Sequence, residues 1–220
     1  AAELEADDDE AAKAEILFNL GEERAARRIA RALTEARETA PIETTARQAE
    51  IIAAASPPGR QKGPSRTHPA TRRFHALRIA VNAELGQLSA ALSAAEARLS
   101  PGGVLAVVSF HSLEDRLIKR FMRAKAGKTP GPSRYEPDFN RIQPSLQIER
   151  PDPQSPSAAE IARNARARSA KLRVARRLET EPSGGADHED PLLRYTAEWA
   201  LSAGSARGER PKGTRRKRPR

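Results

Sequence analysis

The chain has 220 residues, with 39 Lys and Arg against 29 Asp and Glu, a net charge of +10, no Cys and 4% aromatic residues. That length holds one domain, or two small ones, around a buried core, while the missing Cys removes disulfides, thiolate metal sites and a Cys nucleophile and fits the cytoplasm. No run of 18 apolar residues is present to span a membrane as a helix, no charged-then-apolar leader opens the chain, and the first residue is Ala1 rather than Met, so a piece of something longer is expected.

Residues 1–36 read as helix, with Ile16, Leu17, Leu20, Ile29 and Leu33 near helical spacing and Arg24, Arg27, Arg28 and Arg31 on other faces. Gly21 marks a break between two helices, and Pro41 ends the region. A shorter helix follows from about Thr45 to Ala55, with Ile51 and Ile52 as its apolar contacts, and Ser56-Pro57-Pro58-Gly59 opens a loop to Ser65. Phe74, Leu77, Val81, Leu85, Leu88, Leu92, Ala95 and Leu99 recur at steps of three and four, which predicts one long helix. Thr67 or His68 caps it, Pro69 suits its first turn, and Ser100-Pro101-Gly102-Gly103 stops it.

The run from Val104 to Phe110 is short, β-branched and apolar, and reads as a strand buried on both faces. Ser112-Leu113-Glu114-Asp115 resembles a capping box, with Leu117, Ile118 and Phe121 continuing an amphipathic helix. Helix, tight loop, buried strand and helix spell a unit of an open, mostly parallel α/β sheet. The other strand candidate, Ser169 to Leu178, alternates Leu172 and Val174 with Lys171, Arg173 and Arg177, a one-sided pattern that suits a sheet edge. Two strands do not make a stable sheet, so further strands are expected before Ala1 or in a partner. Residues 127–156 are Pro-rich and read as irregular; Ser157-Ala158-Ala159-Glu160 caps a short helix to about Asn164. Disorder is expected over residues 180–220, with one amphipathic turn around Leu192, Leu193, Tyr195 and Trp199.

Charge is distributed unevenly. Seven acids crowd residues 1–15, whereas residues 56–82 hold six bases, residues 163–177 seven and residues 210–220 seven more, each block without an acid. Such blocks suit a polyanion partner, or serve as solvated faces and a solubilising tail. No Gly-rich phosphate loop follows a strand. The four His (His68, His75, His111 and His188) lack metal-ligand spacing.

Three constellations remain. Ser109-Phe110-His111-Ser112 sits where a strand turns into a helix, the rim at which ligands bind in open α/β sheets; the alternative is a plain helix cap. Arg72, Arg73 and Arg78 form a phosphate-positioning patch or a solvated helix face. Arg166, Arg168 and Lys171, with Arg116 nearby in sequence to the first constellation, hold RNA or line a charged edge strand.

The segments GEERAARRIARAL, THPATRRFHALRIAVNAELGQL, LSPGGVLAVVSFHSLEDRLIKRF and NARARSAKLRVA, in this order over roughly residues 1–178, resemble the bacterial ribosomal RNA small subunit methyltransferase H family. Arg73, His75 and Ala165 depart from that family's usual Thr, Gln and Pro. The resemblance implies an α/β fold: the C-terminal part of a Rossmann-like S-adenosylmethionine-dependent methyltransferase sheet (67–178), an inserted helical subdomain (1–66) and a basic tail (179–220). It implies N4-methylation of a cytosine in 16S rRNA, with the small ribosomal subunit or its RNA as partner and S-adenosylmethionine as cofactor. Ser109, Phe110, His111 and Ser112 would line the base or cofactor side of the cleft, and Arg72, Arg73, Arg78, Arg116, Arg166, Arg168 and Lys171 would contact RNA. The family's cofactor loop belongs to an N-terminal half that has no counterpart here, so no cofactor-binding residue is assigned and this chain alone is expected to be inactive. A non-catalytic RNA- or ribosome-binding module, or an inactive fragment, is the competing reading.

Overall fold

The computed structural model of the chain describes residues 10–56, 70–128, 143–182 and Leu193. They fall into two compact units that divide between Glu84 and Leu85. The predicted loop with Thr67, His68 and Pro69, the acidic residues 1–9, the segment 129–142 and the tail beyond 182 apart from Leu193 lie outside the described residues.

The first unit is helical: α1 (Glu10–Asn19), α2 (Ala26–Thr39), α3 (Thr45–Ala55) and α4 (Thr71–Val81). Helix α1 packs against α2 and α4, and α2 against α3. Ile16, Leu17, Leu20, Ile29, Leu33 and Ile52 are almost fully buried, as the predicted periodicity requires. On α4, however, the buried side is Arg73, Ala76, Ile79 and Ala80, and the predicted stripe of Phe74, Leu77 and Val81 is only half-buried. The break at Gly21 is steric: a Cβ there would lie 2.6 Å from the Leu17 carbonyl oxygen, so only Gly lets the chain turn off the end of α1 this closely. Helix α3 spans the expected residues, and the Thr44 hydroxyl accepts from the Arg47 amide at 3.1 Å to cap it.

The long predicted helix is two helices, α4 and α5 (Glu84–Arg98). Ala83 has φ +50°, a left-handed conformation that a β-carbon disfavours and that ends the helical run. Glu84 holds the junction: Arg78 donates to its two carboxylate oxygens at 2.8 and 3.2 Å, and the Asn82 amide to one of them at 3.1 Å.

The second unit carries an α/β arrangement. Pro101 and Gly102 (φ +81°) make a tight turn closed by the Gly103 amide on the Ser100 carbonyl at 2.9 Å. The chain then enters β1 (Val104–Ser109), α6 (Ser112–Lys125), β2 (Leu146–Ile148), α7 (Ala158–Arg163), a 3-10 turn (Ala165–Ser169) and β3 (Lys171–Arg177). The strand order is β1-β3-β2, and both pairings are antiparallel. Two expectations are corrected here. The Lys171–Arg177 strand is central rather than at an edge, because the three-residue β2, too short to show a pattern inside a Pro-rich stretch, takes its far side. The described ladder is antiparallel, with β1 at the end.

Helices α5 and α6 cover one face of this sheet. Leu92, Ile118, Phe121, Met122, Leu146 and Ala175 form the core, with Leu105, Val107 and Ile148 leaning in. The opposite face of β1 is bare among the described residues, with Val104 48% and Val108 53% exposed. The strand is therefore covered on one face only, against the expectation of two.

Candidate functional site at the end of the first strand

At its carboxyl end β1 delivers Ser109, Phe110, His111 and Ser112 in succession. Alternation along the strand turns Ser109 inward, where it is buried and its hydroxyl donates to the Lys171 carbonyl at 3.5 Å. Phe110 faces outward and is 56% exposed.

The capping box exists one residue earlier than expected. His111, with extended backbone (φ −140°, ψ 164°), is the N-cap of α6: its Nδ1 accepts from the Glu114 amide at 3.4 Å. Glu114 reaches back, accepting from the amides of Phe110 at 2.9 Å and His111 at 3.4 Å. The other ring nitrogen of His111 lies 3.1 Å from Glu114 Oε1. Both ring nitrogens thus lie beside one residue. Burial pushes the Glu114 carboxyl up, but hydrogen bonds from the His111 side chain and the Phe110 amide outweigh it and hold the group below its ordinary value. Ser112 stands exposed at the first position of α6.

Asp115 has a different task from the expected cap closure. It takes Arg173 in a two-pronged pair at 2.7 and 3.2 Å and Lys171 at 3.2 Å. This ties the first turn of α6 to the start of β3. Burial raises the Asp115 pKa, but the hydrogen bonds and charges of Arg173 and Lys171 lower it further, and the carboxyl ends below the usual range. A depressed carboxylate stabilises the fold above its unfolded-state pKa of about 4 and loses that contribution as pH falls through the folded value. We expect Asp115→Asn to lower stability by about 1–3 kcal/mol at pH 7, since it weakens a pair that holds a buried guanidinium. The gap to the parent should shrink below about pH 3.5; denaturant midpoints at both pH values check this.

The basic residues divide. Ser109 pairs in register with Lys171, so the 3-10 turn just before β3 brings exposed Arg166 and Arg168 to the sheet end that carries Phe110. The Asn164 side chain caps that turn through the Arg166 amide at 3.1 Å. Lys171 is half-buried and engaged with Asp115. Arg116 is exposed on α6. Arg72 and Arg78 are exposed on α4 in the other unit, and Arg78 is paired with Glu84.

Arg73 does not fit a phosphate contact. It is 2% exposed, pairs with Glu23 at 2.9 Å and donates to the Ser56 hydroxyl at 2.9 Å, so it braces the helical core. The roles of Asp115, Glu114 and Arg73 were missed because each depends on partners far apart in sequence or on a one-residue shift in the cap.

No group of His, Asp and Glu that could hold a metal ion occurs among the described residues. None of the described helices is long and apolar enough to cross a membrane.

Residues 1–178 match the model of the MraW methylase family. Relatives named ribosomal RNA small subunit methyltransferase H include those of Dinoroseobacter shibae, 52% identical over 80% of this chain and 52% of the relative, and Methylocella silvestris, 53% identical over 79% and 49%. The Methylobacterium sp. strain 4-46 relative is 48% identical over 94% of this chain and 57% of its own length. The chain thus spans about half the length of the curated relatives it matches. With a family model matched from the first residue to the end of β3, the chain belongs to the MraW methylase family.

Proposed function

We propose that these residues form the RNA-facing part of an S-adenosylmethionine-dependent methyltransferase that acts on the N4 amine of a cytosine in 16S rRNA. The observation that carries the reading is the sheet end where exposed Phe110 stands between the start of α6 and the Arg166–Arg168 turn. A methyl acceptor of this type is a weak nucleophile, its lone pair delocalised into the ring, so orientation matters more than basicity. Phe110 offers a face on which an unstacked base can lie. Arg166 and Arg168 hold the neighbouring phosphates, and Ser112 stands at the rim to hydrogen-bond the base. His111, whose Nδ1 caps α6 through the Glu114 amide, acts as a positioning residue that fixes the turn displaying Phe110.

The Rossmann-like reading draws support from β1. Its bare face and its outer edge, unpaired among the described residues, are where the rest of a larger sheet would pack. On that reading residues 1–66 are an inserted helical subdomain and residues 67–178 the closing part of the sheet. The described residues do not fit S-adenosylmethionine: their glycine-rich turn, Gly102-Gly103, precedes β1 and lies at the end away from Phe110. The methyl donor is therefore assigned to the part of the relatives outside the match. The same feature favours a second reading, in which this chain alone binds RNA in the cytoplasm without methylating it.

Titration calorimetry tests the division of labour. The chain should give binding heat with a 16S rRNA fragment and none with S-adenosylmethionine. In a version extended to the length of the relatives, Arg166→Gln with Arg168→Gln should raise KM for small subunits about tenfold with kcat largely kept, the mark of lost positioning. An unchanged KM removes these arginines from the site.

A further inference from the structure

The outward surface of α2 begins with four arginines. Arg24 lies in the turn just before the helix, and Arg27, Arg28 and Arg31 lie in its first two turns; all four are exposed. At 100° per residue they share one arc, opposite the side that buries Ala26, Ile29, Ala30 and Leu33. They are not there to pack. Arg24 and Arg27 have no ion pair among the described residues. Arg31 lies 3.6 Å from Glu35, but both side chains are about two-thirds exposed (70% and 66%), so the pair neutralises little. Arg28 Nε donates to the Ala55 carbonyl at the end of α3, which fixes the side chain while its charge stays outward.

Stability does not account for the placement either. Cations at the start of a helix oppose its dipole, and α2 has no acid in its first turn and no side-chain cap. Elsewhere on the unit exposed acids and bases are mixed, Glu10, Glu15, Glu38 and Glu43 with Arg47 and Arg72, whereas the four arginines stand together. The cluster therefore concentrates four positive charges on one short arc of the unit. Every base in residues 21–40 is Arg and none is Lys, the choice that suits the forked recognition of phosphate oxygens. From Arg24 to Arg31 the cluster spans roughly 10 Å, a length over which one nucleic-acid strand presents about three phosphates.

We infer that Arg24, Arg27, Arg28 and Arg31 bind the phosphate backbone of RNA, a sequence-independent contact made by the helical unit. The inference rests on the rRNA methyltransferase reading for its choice of polyanion. The experiment is fluorescence anisotropy of a labelled RNA hairpin of arbitrary sequence, titrated with the full 220-residue chain over a KCl series. Replacing three exposed side chains, R24Q/R27Q/R31Q, should flatten the plot of log Kd against log salt by about two to three units and weaken low-salt binding at least tenfold. R37Q/R47Q, made on the same unit away from the cluster, should leave the slope as it was. A triple variant with the parent's slope overturns the inference. If R166Q/R168Q alone then changes binding, the proposed function stands without it; if the parent chain fails to bind RNA, both fall. Equal binding of poly-glutamate and RNA by the parent, both lost in the triple variant, overturns the choice of RNA in favour of an acidic protein.

Discussion

Glu96→Leu is expected to destabilise the chain by about 3–5 kcal/mol, a large share of what a domain of this size has. Glu96 is 2% exposed and stands 3.0 Å from Lys125, itself 4% exposed. The Ser145 hydroxyl donates to the same carboxylate. Arg177 donates to the Glu96 carbonyl at 3.2 Å and to the Ser145 carbonyl at 3.0 Å. One buried cluster thereby joins α5, the end of α6, the segment before β2 and the end of β3. Removing the carboxylate leaves a buried ammonium without its counter-charge and a buried hydroxyl without its acceptor, and both costs fall on the folded state. Taking away both charges tests the cause: E96L/K125M should recover most of the loss, because an apolar pair of similar volume incurs no desolvation penalty. Ser145→Ala, which removes one hydrogen bond, should cost about 1 kcal/mol and remain folded for comparison. Urea midpoints for the three variants decide the matter. A Glu96→Leu loss under about 1 kcal/mol, or a double variant no better than the single, would mean that apolar packing alone joins these elements.

What could be read in the sequence followed from local rules. The helix at Thr45–Ala55 has a capping Thr and two adjacent Ile, and the structure gives those bounds. The Val104–Ser109 strand and the Ser157 cap were legible for the same reason, since apolar runs and capping residues act over a few positions. The misreadings are cases in which distant partners decide. Periodicity joined α4 to α5 because apolar residues recur on both sides of Ala83, whereas the left-handed backbone there ends the helix, and Arg78 and Asn82 hold Glu84 just beyond it. The β3 strand reads as an edge from its one-sided alternation of apolar and charged residues. Instead Arg173 and Arg177 are buried against Asp115 and the Glu96–Ser145 cluster, which pattern reading cannot anticipate. Of the candidate site, the Ser109–Ser112 turn was found correctly as a place where a strand becomes a helix. What each side chain does there was not, because a cap at His111 and a cap at Ser112 predict nearly the same sequence.

Phe110→Ala is expected to cut affinity for a short single-stranded RNA containing cytosine by about 5- to 150-fold, the range that corresponds to the 1–3 kcal/mol measured for stacking one base on an aromatic ring. The fold should not notice. Phe110 is 56% exposed, and it joins the capping box through its backbone amide, which donates to Glu114 whatever the side chain. Thermal midpoints should therefore agree within a few degrees, which separates a lost contact from a damaged domain. Phe110→Trp keeps a stacking face and should bind as well as the parent, whereas Phe110→Leu keeps apolar area but no ring and should fall near the Ala variant. His111→Ala acts differently: it breaks the box, lowers stability by about 1 kcal/mol, and weakens RNA binding only to the extent that the turn shifts. The combined variant discriminates between the roles. If His111 works by positioning Phe110, removing it in the Phe110→Ala background should cost little further affinity, and the two effects should be less than additive. Fully additive losses would give His111 its own contact with RNA, and an unchanged Phe110→Ala affinity would leave the sheet end without the base platform that the proposed function requires.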